Sequence, residues 1–187
     1  MSCILNLLDL LEGYAPISAD LRSYLSNQLH VQAISKGEPL FSDLRHASRT
    51  WMLCSGLLKS TYTDDSGKQI VSRFWQEGDI VLSKNRAVFE PGERITTVET
   101  SIVLYMDAVA TEYVLDHFSL GHLLARKIYF NDAKQREFRA KLMQIPPSEA
   151  YELFCQAYPA ERMLLQDIAA FLNIRPYSLS RIRARRR

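Results

Sequence analysis

The residues best placed to do chemistry gather near one end of the sequence. Between Asn173 and Arg187 stand six arginines, at 175, 181, 183, 185, 186 and 187, and no acidic residue. A guanidinium stays charged at any physiological pH and offers a planar fork of donors that matches phosphate oxygens and the guanine edge. Across the chain 23 basic residues face 21 acidic ones, for a net charge of +2; without those six, 17 face 21 and the remainder is net acidic. Positive charge confined to one short segment points to an anionic polymer such as nucleic acid, and the plain alternative is a solvated tail.

Other chemistries lack their residues. His30, His46, His117 and His122 include no pair spaced for a metal on a strand, and Cys3, Cys54 and Cys155 are too few and too scattered for a four-thiolate or iron–sulfur site. Their odd number and wide spacing predict no disulfide framework, which suits a reducing compartment. Neither a phosphate-binding loop nor a nucleophile paired with a base is visible. The expectation is a protein that is not an enzyme and holds no metal or resident cofactor. No apolar run approaches the roughly 18 residues that span a bilayer. The opening MSCILNLLDLLEG carries acids among its leucines rather than a basic leader, which predicts a cytoplasmic protein without membrane contact.

The arginines need a scaffold, and the preceding text supplies one. In MLLQDIAAFLNIRPYSLSRIRARRR, Leu165, Ile168, Ala169 and Leu172 recur at helical spacing, Asn173 to Arg175 make a tight turn, and Pro176 opens a second helix where its missing N–H costs nothing. A rotation of 100° per residue puts Leu179 and Ile182 on one side, with Tyr177, Ser180, Arg181 and Ala184 on the other. Two short helices joined by a three-residue turn, the second basic on its open face, form the helix-turn-helix pattern that enters the DNA major groove. Arg181 could pair with guanine O6 and N7, Ser178 and Ser180 could contact a base or phosphate, and Tyr177 could pack on a thymine methyl or reach a phosphate. Arg175 is a poor N-cap, so its guanidinium and the free N–H groups behind it suit a phosphate. Arg183 and Arg185 add phosphate contacts. A helical hairpin with a charged tail is the bland alternative.

The rest of the chain, 47% hydrophobic and 24% charged over 187 residues, has the balance of a globular protein with one large or two small cores. Residues 1–37 read as two helical pieces, with a break at Gly13 to Pro16 and Ser18 as N-cap of the second. From Glu38 to about Met106 come short β-branched and aromatic runs, TWMLC, LLKSTYT, QIVSRFW and SIVLYM, punctuated by Gly56, Gly67 and Gly78 at intervals of 11, the spacing of a small antiparallel barrel or roll. Ala108 to Met143 reads as helix. Its apolar side, with Leu120, Leu123, Leu124, Ile128 and Phe130, predicts either a dimer seam or packing on the β-domain. Ile145-Pro146-Pro147 ends that helix as a hinge, and Ser148 to Tyr158 forms another.

These residues resemble the bacterial regulators related to the cyclic-AMP receptor protein and the fumarate-nitrate regulator, the Crp/Fnr family. ISKGEPLFSD and TWMLCSGLLKSTYTDDSGKQIVSRFWQEGDIV are similar to its cyclic-nucleotide-binding-like β-roll, and LLQDIAAFLNIRPYSLSRIR to its DNA-binding helix pair, with Ser180-Arg181 on the usual Ser-Arg. The resemblance covers nearly the whole chain. It implies an α+β fold: a jelly-roll-like antiparallel β-roll sensor over 1–118, a long dimerisation helix over 119–143, and a helix-turn-helix domain over 144–187. Double-stranded DNA, a second copy of the chain and RNA polymerase are the partners it implies.

The departures bear on mechanism. In GDIVLSKNRAVFEPGERITTVE, Leu82-Ser83 stand where the family has Gly-Glu, so the acceptor for a ribose hydroxyl is missing, and Ile95 follows Arg94 where Ser or Thr is usual. Cyclic AMP is therefore expected to bind poorly. Arg94 with Thr96 or Thr97, helped by Ser83, Lys84 or Arg86, could hold another small anion, and the alternative is a surface Arg94 paired with Glu90 or Glu93. The family's Arg-Glu reading pair falls on Pro176-Tyr177, and the sequence ends at Arg187 before any β-hairpin wing, so the helix-turn-helix is expected to lack its wing. A sequence-specific transcription regulator follows, with a ligand-free dimeric scaffold that has lost DNA binding as the rival.

Overall fold

The computed structural model describes residues 2–40, 50–82 and 93–185. Two helices, α1 (Ser2–Tyr14) and α2 (Ala19–Gln28), lead into seven strands: β1 (His30–Ile34), β2 (Thr50–Ser55), β3 (Leu58–Thr63), β4 (Gln69–Trp75), β5 (Ile80–Leu82), β6 (Arg94–Thr97) and β7 (Ser101–Met106). Five helices follow: α3 (Ala108–His117), α4 (Ser119–Leu142), α5 (Pro147–Ala157), α6 (Leu165–Phe171) and α7 (Pro176–Arg185), with a 3₁₀ turn at Ala160–Arg162 before α6. The fold class is α+β, as the sequence predicts.

The strands form two antiparallel sheets, one ordered β1-β7-β2-β5 and one β4-β3-β6. Their alternation explains the packing. Along β2, Trp51 and Leu53 point into the roll against Leu58, Trp75, Ile95 and Val103, while Met52 joins a second core with α1, α2, α3 and α4. Gly56 closes the β2–β3 turn at φ 105°, and a Cβ there would lie 2.8 Å from the Ser101 backbone, so only glycine fits. A third core crosses from the roll to the C-terminal helices, with Leu57, Val71 and Phe74 meeting Phe154, Phe171 and Leu179.

Three expectations need correction. The helical reading of residues 1–37 holds for α1 and α2, with Ser18 accepting from the Leu21 N–H at 3.2 Å, but His30–Ile34 is a strand. Its full pairing with β7 outweighs the weak local helical pattern. The helix from Ala108 is interrupted at Phe118, whose backbone is extended; α3 and α4 fold back on each other there, and Gly121 allows it, since a Cβ would sit 2.6 Å from the Val114 carbonyl. Finally, Cys3 and Cys54 form a disulfide with Cα atoms 5.7 Å apart, tying α1 to β2. Two cysteines 51 positions apart give no sequence sign of meeting, and the fold brings them together. Cys155 is free. Among the described residues no helix is long and apolar enough to cross a membrane.

Candidate nucleic-acid interface

α6 and α7 are joined by the predicted turn. Asn173 adopts a left-handed backbone, φ 56°, and the Ile174 N–H reaches back to the Ala169 carbonyl at 3.0 Å, a C-terminal cap that ends α6 and redirects the chain. Pro176 occupies the first turn of α7, and Leu179, wholly buried, anchors that helix on α5 and α6. The outer face then falls as the 100° rotation predicts: Arg175, Tyr177, Ser180, Arg181 and Arg185 are exposed, and Ser178 and Arg183 are half-buried. Tyr177 is 73% exposed, and the Arg181 guanidinium lies 5.9 Å from its ring centre one helical turn away. Arg186 and Arg187 lie outside the described residues. The result is a short helix seated by Leu179 and Ile182 and showing cations, hydroxyls and an aromatic ring on its open side.

The residues that hold this helix pair in place are ones the sequence reading missed. Lys59 on β3 pairs with Asp167 at 2.7 Å, and Lys68, in the β3–β4 hairpin, donates to the Asn173 side chain at 2.7 Å. Phe74 on β4 meets the rings of Phe171 at 5.3 Å and of Phe154 and Tyr158 at 5.9 Å. Arg162, just before α6, spans Glu99 and Glu77 and also donates to the Gly56 carbonyl at 3.2 Å. Hydrogen bonds from Arg162 hold the Glu77 carboxyl below its ordinary range. One signal was available: Asp167 is the single acid inside LLQDIAAFL and would face the core of an amphipathic helix, which demands a cation. The other partners are too distant in sequence to have been found.

The long helix α4 turns much of its apolar side to its own chain. Leu124 is buried, and Asp132 forms an ion pair with the buried Arg73. Gln135 accepts from the Tyr158 hydroxyl at 2.9 Å, and Arg139 donates to the Phe171 carbonyl at 3.1 Å. Of the predicted stripe, Phe130 remains outside, 61% exposed. Packing on the β-domain therefore accounts for Leu124.

Of the proposed anion residues, Ser83, Lys84 and Arg86 lie outside the described residues, as does Glu90. Arg94 and Thr96 share one face of β6, exposed and half-buried, while strand alternation turns Thr97 the other way. Thr97 is buried and its hydroxyl donates to the Ser35 carbonyl at 2.6 Å, a structural role. Next to Arg94, the Glu93 carboxylate accepts from Ser60 and Ser72, so negative charge already stands at this edge of the roll.

The sequence matches no protein-family model and no curated protein. Solved structures do match in shape. FixK2 from Bradyrhizobium japonicum superposes with a TM-score of 0.67 at 15% identity, covering 84% of this chain and 83% of its own. A regulator of the Crp/Fnr family from Eubacterium rectale gives 0.69 at 12%, over 91% and 85%. The fold is that of the Crp/Fnr regulators. A third neighbour of this Crp/Fnr fold, the c-di-GMP-responsive regulator CLP of Xanthomonas campestris, gives 0.61 at 13% identity, over 88% and 89%.

Proposed function

We propose that this Crp/Fnr-fold chain is a sequence-specific DNA-binding transcription regulator that acts as a homodimer. The observation that carries the reading is the open face of α7, where Arg175, Tyr177, Ser180 and Arg181 stand exposed on a helix anchored by Leu179. In this reading residues 1–118 are the sensor, 119–143 the dimerisation helix and 144–187 the DNA-binding unit. The outer side of α4, with Phe130 exposed, faces the second copy. Docking of two α7 helices in successive major grooves sets them about 34 Å apart. Arg181 reads a base edge, Ser178 and Ser180 contact base or phosphate, and Arg175, Arg183 and Arg185 neutralise phosphates. Cyclic AMP is not the effector in this proposal, since Glu93 charges the edge where a phosphate would lie and Thr97 is engaged by Ser35.

Selection of genomic fragments by the purified full chain tests the reading, followed by titrations at several salt concentrations with wild type and Arg181→Ala. An enriched, roughly palindromic sequence whose binding is lost with Arg181 is expected. Weak binding without sequence preference, indifferent to Arg181, would overturn it in favour of a scaffold that binds proteins.

A further inference from the structure

A cavity of about 80 Å³ lies outside the roll, between β2 and β7 on one side and α1, α2, α3 and α4 on the other. Its wall is almost wholly apolar: Leu7, Leu25, Met52, Met106, Val114 and Leu124 contribute from all these elements. An apolar space of this size is a poor host for water, which needs two to four polar partners. Left empty, it lacks the close contacts that the rest of an interior provides.

One polar point interrupts the lining. Thr50 on β2 and Thr111 on α3 both border the cavity, and their hydroxyl oxygens are 3.2 Å apart. Thr111 Oγ1 donates its only proton to the Asp107 carbonyl at 2.7 Å. The shared hydrogen bond must then run from Thr50 to Thr111, which leaves the lone pairs of Thr50 Oγ1 to accept. The cavity thus pairs an apolar volume with one acceptor.

We infer that the space between the four helices and the outer sheet face is a binding site for a small aliphatic alcohol, whose carbon skeleton fills the cavity and whose hydroxyl donates to Thr50 Oγ1. By comparison with an engineered cavity of ~150 Å³ that takes up benzene, this one has about half the volume and suits a molecule of about three to four heavy atoms. Binding here involves none of the residues of β6 or α7, so it stands whether or not the chain binds DNA.

The full-length protein carries its own reporters. Met52 and Met106 line the cavity, whereas Met143 and Met163 do not. Methyl-labelled methionine spectra should be recorded during titration with 2-propanol and, separately, with isobutane, which replaces the hydroxyl by a methyl of similar size. The Met52 and Met106 signals are expected to shift saturably while Met143 and Met163 stay in place. The affinity of 2-propanol relative to isobutane should fall about three- to tenfold in Thr50→Val, the worth of one hydrogen bond. That substitution keeps a β-branched side chain on the strand, so isobutane should still bind. Ala125→Leu, which fills the cavity from α4, should suppress both, with an unaltered Met163 signal reporting an intact fold elsewhere.

Shifts that do not saturate, that spread equally over all four methyls, or that survive Ala125→Leu would overturn the site. A relative affinity that Thr50→Val leaves unchanged would overturn the assignment of an alcohol. Binding seen only after dilution to monomer would mean that a second copy fills the cavity, and would overturn the proposal as well.

Discussion

The arginines of the junction and those of α7 have opposite surroundings. Where the C-terminal helices sit on the roll, Arg162 is held between Glu77 and Glu99, Arg73 is buried against Asp132, and Arg139 is bound to the Phe171 carbonyl. On α7 and the turn before it, Arg175, Arg181, Arg183 and Arg185 share a segment without any acid. A charge enclosed by its own chain contributes to position, whereas charges with no local counterion contribute to recognition of something outside. The contrast separates what holds the helix pair in place from what that pair presents.

The largest expected effect breaks the junction. Phe74 is 1% exposed and inserts among the rings of Phe154, Tyr158 and Phe171. Phe74→Ala should cost about 3–5 kcal/mol in a urea melt, because the removed ring leaves a cavity that rigid neighbours fill only in part. A single transition is expected, since the same core runs from Leu57 and β4 into α6. Two separated transitions in the wild type would show that the roll and the helices hold independent cores, and the comparison would fail.

The second effect uses pH. Burial pushes the Tyr158 phenol from its ordinary 10.0 up to about 12. The unfolded chain therefore loses this proton first, so the stability tied to the neutral phenol is complete below pH 10 and disappears as pH rises towards 12. The loss should be about 2–3 kcal/mol across that window. Tyr158→Phe should remove that component of the slope, and an unchanged alkaline profile in the variant would place the titrating group elsewhere.

Arg162→Met is expected to cost about 1 kcal/mol near neutral pH, because the clasp is partly solvated although it is a network rather than an isolated pair. The Glu77 carboxyl is depressed by hydrogen bonding to Arg162, so its contribution is present above the unfolded value and disappears as pH falls through the folded one. Wild type and variant should therefore converge in acid. If their difference persists after the carboxylates are protonated, the arginine acts through packing of its stem.

What could be read from the sequence follows the range of the forces involved. Helix pairs, turns and the roll depend on local periodicity and on glycines at positive φ, so Gly56, Gly67, Gly78 and the α6–turn–α7 motif stood in the text. The outward face of α7 followed from rotation alone. Strand β1 escaped because its stability comes from pairing with β7, more than sixty residues later. The Cys3–Cys54 bond, the Lys59–Asp167 pair and the inward turn of Leu124 depend likewise on contacts that only the assembled fold creates. Strand alternation also separates Thr97 from Arg94 although they are near neighbours in sequence.

The smallest effect on stability is the sharpest test of the contrast. Arg181 is exposed, with its guanidinium over the Tyr177 ring one turn away, so Arg181→Ala should change the melting free energy by no more than about 0.5 kcal/mol. On a selected DNA sequence the same change should cost about 1–3 kcal/mol and relax discrimination at one base pair, as expected of a bidentate contact. Arg183→Ala should behave differently, weakening all sequences alike and reducing the salt slope by about 0.9. A base reader and a phosphate anchor are thus distinguishable on one helix by fluorescence anisotropy at several salt concentrations. Should Arg181→Ala destabilise the fold as much as Arg162→Met does, α7 would belong with the junction, and its arginines would be structural rather than presented.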